Sequence, residues 1–132
     1  MDKKLALTGS NFNQGSAVTS ATKKDKDGEK QQMIDEDLIF KCAMTRDYGK
    51  VQELSLSSEA ITFIDAGNPY LKQFTSLKRL DLSFNKLIRI DGLDQLKELR
   101  ELNLGFNQIC TLDSLSKLVN LRTLCLDHNK IK

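Results

Sequence analysis

The chain has 132 residues, 20 Lys and Arg against 18 Asp and Glu, and three cysteines, which suits one domain plus a short tail and leaves no room for a second independent core. Its near balance of charge argues against a strongly basic nucleic-acid domain, and no apolar run approaches the ~20 residues of a membrane span or the apolar region of a signal peptide. Cys42, Cys110 and Cys125 are odd in number and share no C-x-x-C spacing, so reduced thiols in an intracellular compartment are expected rather than a disulfide framework.

Residues 1–32 are rich in Lys, Asp, Ser, Thr, Gly, Asn and Gln and carry too few large apolar side chains to offset the entropy of ordering, so a disordered tail is expected. Lys23, Lys24 and Lys26 form a basic cluster, but Asp25, Asp27 and Glu29 interrupt it, which favours a solvated segment over a phosphate-binding or localisation patch.

Residues 33–50 carry a helix start signal. Asp35 can cap, Glu36 and Asp37 fall in the positive first turn, and Gly49 can close the end. Ile34 and Ile39 then occupy the two positions of a hydrophobic staple, and Leu38, Ile39, Cys42 and Ala43 make an apolar face. The pattern predicts a helix of about ten residues whose apolar face rests on the remainder of the chain, since a helix that short is marginal alone.

Residues 51–132 form a repeat. Leu77, Leu80, Leu82, Asn85, Leu87, Ile90, Leu93 and Leu96 recur at a constant 22-residue offset as Leu99, Leu102, Leu104, Asn107, Ile109, Leu112, Leu115 and Leu118. A third copy begins with Leu121, Leu124, Leu126, Asn129 and Ile131 before the sequence stops. An imperfect earlier copy reads Val51, Leu54, Leu56, Glu59, Ile61 and Ile64; it stands at a 26-residue offset from the Leu77 copy, so it carries a four-residue insertion around Gly67-Asn68-Pro69-Tyr70. The L-x-x-L-x-L-x-x-N-x-L pattern at this period is a solenoid signature.

The alternation in Leu80-Asp81-Leu82, Leu102-Asn103-Leu104 and Leu124-Cys125-Leu126 predicts one short strand per copy, with the strands forming a parallel sheet. Beyond each strand the apolar period becomes three, which suits 3₁₀ or irregular turns on the back of each coil; the alternating three and four of a heptad is absent. Asn85, Asn107 and Asn129 fall where the chain leaves the strand. Their amides both donate and accept, so a stacked ladder of them can satisfy backbone groups of neighbouring coils, a structural role. The fold class is thus α/β: a short solenoid with parallel strands on the concave face, 3₁₀ or irregular turns on the convex face, an N-terminal capping helix and about three and a half copies.

The stretch LKRLDLSFNKLIRIDGLDQLKELRELNLGFNQICTLDSLSKLVNLRTLCLDHNKI resembles leucine-rich repeats of the 22-residue class, typified by the nuclear regulatory subunit of protein phosphatase 1. The preceding Ile-Asp-Glu-Asp-Leu-Ile segment resembles the capping helix that opens related proteins of spliceosomal, ciliary and centrosomal assemblies. The resemblance is strong over 77–132, weak over 51–76 and slight over 1–50. It implies a curved solenoid whose concave strand face binds a protein partner. The sequence departs from the family in stopping mid-repeat without a C-terminal cap, which leaves an apolar edge and strand groups uncovered.

On the strand face the repeat register places Arg79, Asp81, Ser83 and Phe84 beside Glu101, Asn103, Gly105 and Phe106, and these beside Thr123, Cys125, Asp127 and His128. With strands ~4.8 Å apart, Phe84, Phe106 and His128 would form a column about 10 Å long. Such a column beside mixed charges suits a protein-binding hot spot, while half-burial over the corner between strand and turn would make it packing instead. The candidate partner-binding residues are Arg79, Asp81, Phe84, Glu101, Asn103, Phe106, Asp127 and His128.

Cys125 and His128 could begin a metal site, but a closed zinc centre needs four ligands and no second pair has suitable spacing, so no metal and no cofactor are expected. Cys125, Asp127 and His128 on a strand and its exit splay apart rather than converging as nucleophile, acid and base. The phosphate-loop, dinucleotide and H-E-x-x-H motifs are missing from the sequence. Residues 51–132 hold 11 basic and 10 acidic side chains, too even for a phosphate-binding stripe. The sequence therefore reads as a non-enzymatic protein-binding scaffold or regulatory subunit, with no membrane and no nucleic acid, in the cytoplasm, cytoskeleton, cilium or nucleus. The alternatives are a structural subunit of a ribonucleoprotein assembly and a truncated isoform of a longer repeat protein.

Overall fold

A computed structural model describes residues 22–24 and 30–132, with side chains from Gln32 onward. Two short strands, β1 (Thr22–Lys24) and β2 (Lys30–Gln32), pair antiparallel, and Gln32 also bridges Ile61 in parallel. These strands fall inside the segment expected as tail; the rest of that segment lies outside the described residues.

The helix α1 spans Glu36–Ala43, with Asp35 as its N-cap. The Asp35 carboxylate accepts from the Leu38 N–H at 3.0 Å, satisfying one of the donors that a helix start leaves open. Ile34, Leu38 and Ile39 are buried, and Cys42 and Ala43 pack partly buried against the same core. The helix has eight residues, shorter than expected, and Gly49 does not end it. Met44 does, in the left-handed conformation (φ 58°), donating its N–H to the Phe40 carbonyl at 2.8 Å. Leaving the helix there lets Tyr48 fold under it and stack on Phe74, ring centroids 5.1 Å apart, and Gly49 is instead part of the 3₁₀ turn Tyr48–Lys50.

The solenoid comes next. Strands β3 (Glu53–Ser55), β4 (Arg79–Asp81), β5 (Glu101–Asn103) and β6 (Thr123–Cys125) form a parallel sheet in chain order. Glu53 pairs with Arg79, Arg79 with Glu101 and Glu101 with Thr123. The first pairing keeps the 26-residue offset of the inserted copy and the next two the 22-residue offset, as the repeat alignment predicts. Behind the sheet, Leu87, Ile90, Leu93 and Leu96 are all buried, and the backs turn through bends and 3₁₀ segments, Leu71–Gln73 and Asp113–Lys117. Burial fades toward the last coil: Leu102 is 2% exposed and its counterpart Leu124 37%.

The asparagines bind the coils together. Asn107 donates to the Leu82 carbonyl of the preceding coil and to Leu104 in its own, both at 3.0 Å, and accepts from the Leu87 N–H at 3.0 Å. Asn129 repeats this with Leu104, Leu126 and Ile109. Asn85 does so with Leu56, Leu82 and Ile61, and accepts from Glu59 as well. The four-residue insertion has its own organiser. Asn68, 1% exposed, donates to the Ile34 carbonyl and the Asp65 carboxylate and accepts from the N–H groups of Tyr70 and Leu71, so it fastens the first coil to the segment entering α1.

Candidate functional site

Each strand is only three residues long, and its outward side chains are fixed by the inward leucine between them. Glu53, Arg79, Glu101 and Thr123 therefore make one row across the sheet, and Ser55, Asp81, Asn103 and Cys125 a second. Both rows line a shallow trough of about 590 Å³ over the strand face. In its first row the Arg79 guanidinium lies between two carboxylates, 2.9 Å from Glu101 and 3.4 Å from Glu53. All three side chains are largely solvated, so the cluster contributes little to stability. It holds the arginine in place.

In the second row the side chains fold back onto their own exits. The Asp81 carboxylate accepts from the Ser83 N–H at 2.9 Å and the Ser83 hydroxyl at 2.6 Å, and Asn103 accepts from the Gly105 N–H at 3.0 Å. Gly105 is buried, and a Cβ there would sit 3.2 Å from the Asn103 side-chain oxygen, so a bare backbone keeps that contact open. At the outer end the Cys125 thiol points to the Asp127 carboxylate at 3.7 Å.

The parallel pairing continues past the strands, with Phe84 donating to the Gly105 carbonyl at 3.0 Å and Phe106 to Asp127 at 2.8 Å. At this point every coil makes the same sharp turn, and Ser58, Phe84, Phe106 and His128 all have φ between 57° and 60°. This left-handed conformation costs a side-chain-bearing residue roughly 1–2 kcal/mol. In the last three coils it turns the following asparagine inward and the residue itself outward; in the first, Glu59 follows Ser58. The rings consequently stack along the sheet margin: Phe84 on Phe106 at 4.4 Å and 7°, Phe106 on His128 at 4.1 Å and 8°. Phe84 is 54% and Phe106 43% exposed, so the column is a surface feature rather than a part of the core.

Of the residues singled out in the sequence, Arg79, Asp81, Glu101 and Asn103 line the trough, Phe84, Phe106 and His128 stack where the chain leaves the strands, and Asp127 meets the thiol of the trough residue Cys125. Glu53 was missed, although the 26-residue offset places it opposite Arg79. Of the three residues expected to splay apart, Cys125 and Asp127 meet at 3.7 Å, while the His128 ring is stacked flat on Phe106. Among the described residues no three His, Cys, Asp or Glu side chains are grouped to hold a metal ion. Burial, with Glu59 adding to it, pushes the Cys42 thiol up to about 11, so it stays neutral and unreactive at neutral pH. Among the described residues, no helix is long and apolar enough to cross a membrane.

Residues 75–117 match the family model for leucine-rich repeats in two copies. Two internalins of Listeria monocytogenes share the fold. One is 28% identical with a TM-score of 0.50, the match covering 62% of this chain and 23% of that one. Internalin C2 is 25% identical with a TM-score of 0.50, over 62% of this chain and 44% of its own. This chain thus spans less than half the length of either. No curated protein matches. The family match falls on the coils whose strands pair at a 22-residue step and whose asparagines form the ladder, so residues 75–117 carry two leucine-rich repeats.

Proposed function

We propose that the chain is a non-enzymatic protein-binding scaffold or regulatory subunit acting through its strand face, in the manner of the 22-residue repeat class. The observation that carries this reading is the exposed stack of Phe84, Phe106 and His128 beside a trough whose side chains are already tied in place. Aromatic surface at the edge of an ordered sheet is the usual material of a binding hot spot, and a pre-ordered face loses little conformational entropy on docking. Arg79, Asp81, Glu101, Asn103 and Asp127 supply the polar contacts around it. The free thiols of Cys42, Cys110 and Cys125 support a reducing, intracellular setting.

The test is Phe106→Ala in the full chain. Alanine keeps the Cβ and the left-handed backbone, so only the half-exposed ring and its stacking are lost, about 1 kcal/mol or less of stability. Proteins captured by the wild-type chain should be lost from the variant while its melting transition stays within a few degrees. Equal capture by both, or unfolding of the variant, would return the column to a packing role.

A further inference from the structure

The strand face has a charge polarity that the even charge of the whole chain conceals. The trough is lined by the carboxylates of Glu53, Asp81 and Glu101 and by one cation, Arg79. That cation is already taken up by Glu101 and Glu53. Among the described residues the Asp81 carboxylate meets no basic side chain and has its hydrogen bonds only from Ser83; Asp127 has only the Cys125 thiol. Both stand beside the exposed Phe84–Phe106–His128 margin. On the opposite margin, one residue before β4, β5 and β6, Lys78, Arg100 and Arg122 recur in register with the repeat, while the neutral Gln52 precedes β3. Across the sheet the surface therefore runs from basic, through a compensated centre, to acidic, and ends on aromatic rings.

From this, and resting on the binding role of the strand face, we propose that the trough receives a cationic, aromatic- or aliphatic-containing segment of a partner protein. Its arginine or lysine side chains lie against Asp81 and Asp127, and its apolar side chains against the Phe84–Phe106 rings. Charge complementarity selects this occupant. A carboxylate with no cation of its own gains a full charge-assisted hydrogen bond from an incoming guanidinium, whereas Glu53 and Glu101 already share Arg79. A phosphate backbone would meet the same carboxylates as repulsion. The basic far margin sets the direction, since a partner lying the other way round would bring its cations against Arg100 and Arg122.

The experiment is selection of ligands for the immobilised full chain from a random peptide display library, then titration of the selected peptides against variants. Asp81→Asn with Asp127→Asn keeps the side-chain oxygen that Ser83 bonds and removes only charge. The expected result is peptides enriched in Arg or Lys together with aromatic or aliphatic residues. The double variant should weaken them at least tenfold, and Arg79→Gln, which frees Glu53 and Glu101, should tighten them severalfold. Acidic or neutral peptides that lose affinity with Phe106→Ala would overturn the cationic assignment while leaving the binding face standing. Peptides indifferent to Phe106→Ala and to the Asp81 and Asp127 changes alike would overturn both.

Discussion

Asn107 shows how much of this molecule is decided by single side chains. Its amide hydrogen-bonds four backbone groups in two coils, inside a core where those groups have no water to turn to. Asn107→Ala should cost about 1–3 kcal/mol in urea denaturation, the penalty for leaving buried backbone groups unpaired; an unchanged midpoint would show that these groups find other partners. The role was legible from the sequence because an amide recurring where a strand ends has few other uses. The left-handed backbone at Phe84, Phe106 and His128 was not legible, because that conformation ordinarily points to glycine and here falls on bulky rings. Nor was Asn68, whose Asn-Pro sequence signals a turn but says nothing of the Ile34 carbonyl it reaches.

The elements show a similar division between what pattern fixes and what tertiary contact overrides. The start of α1 follows from Asp35 and the acidic first turn. Its end does not follow from Gly49, because the burial of Tyr48 against Phe74 draws the chain out of the helix at Met44. A second glycine matters more than either terminus. Gly92 has φ +79°, and a Cβ there would lie 2.6 Å from the Asp65 carbonyl oxygen and 2.7 Å from the Ile64 methyl, at the point where the second coil's back presses on the first. Gly92→Ala adds left-handed strain to that collision and should destabilise by roughly 2–4 kcal/mol, read as a fall in thermal midpoint. In the next coil the same position is Ser114, whose hydroxyl bonds Asp91 at 3.0 Å, so the requirement for glycine belongs to the inserted first coil and not to the repeat.

At the scale of the whole molecule each coil is covered by its neighbours, and stability should decline toward β6. Leu102→Ala empties a site that is 2% exposed, whereas Leu124 is already 37% exposed. The first change should cost about 2–5 kcal/mol and the second well under half as much, with amide exchange slowest in β4 and β5 and fastest in β6. Equal losses would mean that another surface covers the last coil in solution. The architecture was readable from periodicity alone, since the leucine spacing dictates strand, turn and register together. The charge polarity of the strand face was not, because it arises only when side chains a whole coil apart along the chain become lateral neighbours.

The constant step between β4, β5 and β6 has a practical corollary. Because an internal coil meets the same two surfaces wherever it is spliced in, duplicating residues 99–120 in tandem should lengthen the sheet by one strand and the ring stack by one phenylalanine, without redesigning any junction. The molecule can thus be extended like a ruler, graduation by graduation.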